Sequence, residues 1–371
     1  MCCRILLFLP LCVLGTWRDR EWYKNQCGKW QETYRSRHDS VRMGLLPPSY
    51  VVFANGGGLA DKLKGLTSAF YFGLLTGRAI QIADPAFQNV FRTINVDWTT
   101  EVEVGTLIKS ARSSNSSVSL QLTGWRASGN EKLRNIFRAG NLSQVGFRSE
   151  VVVFDTCYSF IDDLFHNPYH SQYLRSLGLR AETAVGCALV FLFEIKPFLL
   201  RPMLPVITEI KLQPLIIGIQ IRVGDSVFLK KNRKHSASDY MRFFDCAQNL
   251  ERHAVAGQTA SWLLVSDSEG VRSSALELFP GKLLTATNNH IAHTARNKMD
   301  LSGWGNAAAE LWMFSHANYF VVSRYSGFGK VSAALAMNPT AVFVVDNKGL
   351  AVNSSGASCI SQTTSSWLSN V

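Results

Sequence analysis

Residues 50–83 read YVVFANGGGLADKLKGLTSAFYFGLLTGRAIQIA, and this stretch decides the fold class. Tyr50–Ala54 is a short apolar run rich in β-branched and aromatic side chains, which predicts a strand. Asn55-Gly56-Gly57-Gly58 is a turn. From Leu59 to Thr76 apolar residues recur at helical spacing (Leu59, Leu63, Leu66, Ala69, Phe70, Leu74), and Gly77 suits a helix C-terminal cap. Ala79–Ala83 returns as a strand. Strand, turn, helix and strand within 34 residues make one βαβ unit.

The same alternation resumes later. Leu215–Ile221 and Trp262–Val265 predict strands, the second followed by a helix through Leu278. Asn306–His316 predicts a helix, Tyr319–Val322 a strand, Lys330–Met337 a helix and Ala341–Val345 a strand. Between the two regions, Val151–Asp155 is a strand and Leu164–Phe198 holds helical stretches, while residues 85–150 read as loops with short elements. Pro197, Pro202, Pro205 and Pro214 then mark a linker. Alternating elements on either side of it predict an α/β protein with two doubly wound domains and a cleft between them. The expected boundaries are 1–20 for a signal peptide or short signal anchor and 21–49 for a polar stem. Residues 50–205 form the first domain, 206–348 the second and 349–371 a tail.

Composition narrows the function classes. The 371 residues are 47% hydrophobic and 18% charged, enough apolar material for a sizeable core and too much for a disordered chain. The 38 Lys+Arg against 27 Asp+Glu leave +11, which favours an anionic partner. No zinc-finger spacing or RNA-binding aromatic box is visible, so nucleic acid is not expected. Lys230–Lys234 reads as a solvated loop. The apolar run Ile5–Gly15 follows Arg4 and has the size of a signal-peptide core. With the acceptor triplets at Asn115, Asn141 and Asn353 it points to the secretory pathway. None of the eight cysteines forms a CxxC pair, and the last five (Cys27, Cys157, Cys187, Cys246, Cys359) cannot all pair within the chain. His290 and His293 lack the pattern of a zinc site, and Trp304, Trp312 and Phe314 read as core.

Three segments could carry chemistry. Gly56-Gly57-Gly58-Leu59-Ala60-Asp61-Lys62 joins a strand to a helix, so it is either a phosphate cradle or a tight turn. Gly218-Ile219-Gln220-Ile221-Arg222-Val223-Gly224-Asp225 ends an apolar strand, where an arginine meets either an anion or Asp225. Ser323-Arg324-Tyr325-Ser326-Gly327-Phe328-Gly329-Lys330 lies between a strand and a helix and again suits an anion. Glu310, in the helix before it, is either a buried acceptor for a purine edge or part of a solvated face.

Taken in order, these segments resemble the plant cell-wall α-1,2-fucosyltransferases of the xyloglucan type. VVFANGGGLADKLKGLTSAFYFGLLTGRAIQI (51–82), GIQIRVGD (218–225), LLVSDSEGVRSSALELFPG (263–281) and NAAAELWMFSHANYFVVSRYSGFGKVSAALA (306–336) carry the likeness. LFHNPYHSQYLRSLGLRAETAVGCALVF (164–191) and YKNQCGKW (23–30) extend it. The resemblance implies a GT-B fold, with two Rossmann-like halves facing a cleft. It implies GDP-fucose as donor, a glycan acceptor, inversion and no metal. It implies Arg222 and Ser326-Gly327-Phe328 on the diphosphate, with Asp225 in the same group. Gln220 and Glu310 would then meet the nucleoside, and Gly58 and Asp61 the sugar. It also implies a Golgi membrane enzyme. Ala60, Asp61 and Lys62 stand where the family's loop reads Gly-Asn-Arg. Asp61 is then either the base toward an acceptor hydroxyl or a repulsive neighbour of the diphosphate. A non-catalytic GDP- or glycan-binding relative, or a transferase using another GDP-sugar, are the alternatives these departures raise.

Overall fold

A computed structural model of the chain describes residues 20–54, 57–100, 119–123, 127–146, 148–224, 235–254, 259–287, 291, 294, 300–338, 341–346 and 359–362. Its first half contains α1 (Arg20–Cys27), α2 (Gln31–Arg42), β1 (Tyr50–Phe53), α3 (Leu59–Thr76) and β2 (Ala79–Ile82). It continues with α4 (Pro85–Val90), β3 (Phe91–Thr93), β4 (Ser119–Thr123), α5 (Ala127–Ala139) and β5 (Val151–Asp155). Then come α6 (Ile161–Phe165), α7 (Ser171–Ser176), α8 (Ala181–Leu192) and β6 (Phe193–Ile195). A 3-10 turn (Pro197–Met203) and α9 (Leu204–Leu212) lead into the second half. That half holds β7 (Ile216–Ile221), α10 (Met241–Ala254), β8 (Ser261–Ser266), α11 (Glu269–Leu278) and β9 (Leu283–Leu284). It ends with α12 (Leu301–Phe314), β10 (Tyr319–Ser323), α13 (Gly327–Ala336), β11 (Val342–Val345) and β12 (Ile360–Gln362).

Two sheets result. The first runs β2-β1-β5-β4 and is parallel throughout, with Tyr50 opposite Ala79 on one side and Val151 on the other. The second runs β12-β11-β10-β7-β8-β9 and is parallel except for β12. β3 and β6 form a separate antiparallel pair. The architecture is the expected α/β GT-B arrangement. The strands are apolar on both faces (β1 and β7 are buried at every residue), as helices on both sides of a parallel sheet require. Helices α3, α8 and α13 meet between the sheets. A methyl group on Gly186 of α8 would lie 2.4 Å from the Ala334 carbonyl of α13, so only glycine lets the two helices approach this closely. Tyr71 of α3 donates a hydrogen bond to the Ala184 carbonyl at 2.8 Å, and one continuous core runs through both halves.

Several elements differ from the sequence reading. Within residues 21–49, read as a polar stem, Trp30, Tyr34 and Val41 are buried and α2 packs against β2. A polar average hid an amphipathic stripe. A disulfide ties Cys27 to Cys187 on α8. A second disulfide joins Cys246 on α10 to Cys359, and β12 extends the second sheet, so part of the expected tail is structural. Cys157 is the free thiol among the described cysteines. The 85–150 stretch contains a full helix, α5, where only short elements were expected. Helix α12 begins at its Asp300 cap rather than at Asn306, and α13 begins at Gly327 rather than Lys330. The leader, the lysine cluster at 230–234, His290, His293, Asn115 and Asn353 lie outside the described residues. Among the described residues no helix is long and apolar enough to cross a membrane.

Candidate functional site

The carboxyl ends of parallel strands are where open α/β sheets bind ligands. Here β7 delivers Arg222, β8 delivers Asp267 and β10 delivers the Ser326 turn, while β1 of the other sheet delivers the glycine turn. These ends converge on one cavity of about 520 Å³, within the usual range for a small-molecule site. Gly58, Asp61, Gln220, Arg222, Glu310, Ser326, Gly327 and Phe328 all line it. Asp225 lies outside the described residues.

The second-half wall is heavily braced. The Arg222 guanidinium pairs with Asp267 at 2.8 Å, and its backbone N–H donates to Ser323 Oγ at 2.9 Å. Asp267 also accepts the N–H groups of Val223 (2.7 Å) and Gly224 (3.1 Å). The last contact needs Gly224 at φ 113°, in the left-handed region that favours glycine. The Arg222 guanidinium thus meets Asp267, one strand over. Sequence reasoning missed this acid, although Ser266-Asp267-Ser268 directly after a strand was a usable signal. Gln220 is buried, and its Oε1 accepts the Ser323 N–H at 3.3 Å, which locks β7 to β10 beside the cavity.

Glu310 is neither solvated nor alone. It is 7% exposed, and its two carboxylate oxygens take both Nη groups of Arg272 at 2.5 and 2.9 Å. Arg272 also donates to the carbonyls of Ala286 (2.8 Å) and Ser266, the latter through Nε at 2.9 Å and through Nη2. Its five donors are all spent inside the protein, so it organises the wall rather than gripping a ligand. A carboxylate has about four acceptor sites, so Glu310 retains capacity for a purine edge.

The first-half wall is lighter. Gly58 caps α3 in extended conformation, and the Leu59 N–H donates across the cleft to Thr294 Oγ1 at 3.1 Å. Asp61 is about half exposed and pairs with Lys64, one turn on, at 3.1 Å. Lys62 points away from the cavity: it is buried, ion-paired with Asp84 and 4.6 Å over the Trp304 ring. Lys64, which the motif reading did not single out, lines the cavity instead. Behind the Ser326 turn, the Lys330 ammonium is pushed down to about 8 by burial, with Lys64 and Arg324 adding repulsion. Burial, and then the Asp61 carboxylate, push the Cys157 thiol up, so this cavity-lining cysteine is not an activated nucleophile. Among the described residues no group of three or more His, Cys, Asp and Glu could hold a metal.

No protein-family model matches the chain, and no curated protein sequence matches it. Solved structures do. A point variant of Arabidopsis thaliana FUT1 in complex with GDP superposes with a TM-score of 0.61 at 15% identity, over 85% of this chain and 78% of that one. NodZ α-1,6-fucosyltransferase co-crystallised with GDP gives 0.53 at 15% identity, over 81% and 96%. Selenomethionine-labelled fucosyltransferase NodZ from Bradyrhizobium gives 0.51 at 14%, over 80% and 94%.

Proposed function

We propose that the chain transfers L-fucose from GDP-fucose to a hydroxyl of a glycan, with inversion and without a metal. One observation carries the reading: Arg222, the Ser326–Phe328 helix start and Glu310 share a single cavity that the glycine turn of the other sheet faces. A guanidinium fork and the backbone N–H groups of a helix start are what a departing diphosphate needs. The fold likeness to two fucosyltransferases solved with GDP supports the donor. The sequence resemblance to the xyloglucan type supports α-1,2 transfer to a cell-wall polysaccharide.

In the proposed reaction an acceptor hydroxyl oxygen bonds to the anomeric carbon on the face opposite the leaving group. The carbon–oxygen bond to the β-phosphate breaks, and its electron pair leaves with GDP. Arg222 holds the β-phosphate, and the Gly327 and Phe328 N–H groups with Ser326 hold the pyrophosphate. The hydroxyl proton passes to Asp61, directly or through a water. Glu310 and Gln220 meet the guanosine. Two disulfides support an oxidising compartment, which fits a lumenal Golgi enzyme carried by its N-terminal segment.

A second reading, a GDP-binding relative without transfer, is favoured by the Asp61–Lys64 pair, which occupies the proposed base. A panel of GDP-sugars with glycan acceptors separates the two. Turnover of GDP-fucose that falls at least ~10²-fold in Arg222→Ala is the expected result. Binding of GDP without hydrolysis or transfer of any GDP-sugar would leave only the second reading.

A further inference from the structure

Lys64 is the basic residue of the cavity that no motif accounts for. It sits on α3, in the first half, yet its side chain is only 2% exposed and lines the wall that faces the donor loop. A methyl group placed on Gly327, the first residue of α13, would lie 3.4 Å from Lys64 Nζ and 3.4 Å from the Ala60 methyl. The ammonium of one half therefore rests against the helix start of the other. Lys330, one turn into α13, is 4% exposed and repels Lys64. Two buried ammonium groups from opposite halves thus crowd one helix N-terminus, which carries partial positive charge of its own. Asp61, the recorded counter-charge of Lys64, is 46% exposed, so solvent screens much of its attraction. Burying like charges this way is costly unless an anion comes between them.

We propose that Lys64 is a ligand of the donor diphosphate supplied by the first half, and that the diphosphate takes it from Asp61. This rests on reading the cavity as a nucleoside-diphosphate site. The phosphates are then held from both walls, by Arg222 and the Ser326 turn on one side and Lys64 on the other. The exchange also has a chemical consequence. Asp61 loses its cation when the donor arrives, and its carboxylate becomes available to an acceptor hydroxyl. A lysine serves this role because an ammonium is a compact charge that can move between two oxygen partners, whereas a guanidinium fork is committed to one plane.

The test is calorimetric titration of the purified full chain with GDP and with inorganic pyrophosphate. Lys64→Met is expected to weaken both by about 10-fold or more, the scale of a lost hydrogen bond to a charged group. Lys64→Arg is expected to recover part of the loss, and Asp61→Asn to tighten GDP by removing the competing carboxylate. Melting curves identify a variant that fails to fold, and Asp61→Asn, with the helix and Lys64 intact, keeps the idea exposed if Lys64→Met does fail. Wild-type affinities in both Lys64→Met and Asp61→Asn would overturn the assignment. Wild-type protein that binds pyrophosphate in a Lys64-dependent way but ignores GDP would uphold the lysine and overturn the GDP-sugar reading. Wild-type protein that binds neither would overturn both.

Discussion

The two walls of the cleft are built differently. On the second-half wall each charged group is answered several times over: Asp267 takes a guanidinium and two backbone N–H groups, and Arg272 spends five donors on Glu310 and two carbonyls. On the first-half wall Asp61 pairs with Lys64 and is half exposed. A site that must hold the same leaving group at every turnover gains from preorganised charges. A wall that must admit an acceptor and release a proton gains from a lightly held carboxylate. Under the proposed reaction the contrast puts the fixed chemistry on the second half and the variable chemistry on the first, the half that holds Ala60, Asp61 and Lys62.

The largest effect expected from this contrast is on stability. Arg272→Met leaves Glu310 buried without its cation, and breaking such a pair costs roughly 3–5 kcal/mol. Asp61→Asn removes a half-exposed pair and should cost under about 1 kcal/mol. Denaturant melts of both variants check this. Equal losses would mean that the two walls are braced alike.

A smaller effect concerns pH. Lys330 titrates near 8 because burial, Lys64 from α3 and Arg324 from the turn before α13 all disfavour its charged form. A bound diphosphate favours that form, so GDP binding takes up a proton above pH 8 and its affinity falls between pH 7 and 9. One proton limits the fall to about tenfold per pH unit. The stability of the ligand-free protein moves the other way. Its folded lysine sits below the ordinary 10.5, so the unfolded chain binds more protons between about 8 and 10.5, and this group's contribution to stability rises with pH. Titrations in buffers of different ionisation enthalpy check the proton uptake, and Lys330→Met should abolish it.

The architecture was legible because its signals are local. YVVF, IIGIQI and YFVVS are short apolar runs, and the helix between β1 and β2 carries its own period and its glycine cap. The site was legible as a set of strand ends but not as a set of partners. Arg222 meets Asp267 because β7 lies beside β8 with Ile221 opposite Ser266, and that adjacency exists only once the sheet order is known. Glu310 and Arg272 are 38 residues apart and meet because α12 and α11 both pack against β8. Lys64 was not legible in the motif, and helix geometry supplies the reason. Asp61 and Lys64, three apart, share a face, whereas Lys62 turns away from it into the core. The buried face of α2 was lost in a segment whose average is polar.

The proposed function requires a single diphosphate between Arg222 and the start of α13. A crystal structure of the GDP complex tests it most directly. The account predicts β-phosphate oxygens within hydrogen-bond distance of the Arg222 guanidinium and of the Gly327 and Phe328 N–H groups, with the guanine toward Glu310. GDP bound away from this cavity, or with its phosphates remote from Arg222, would contradict it.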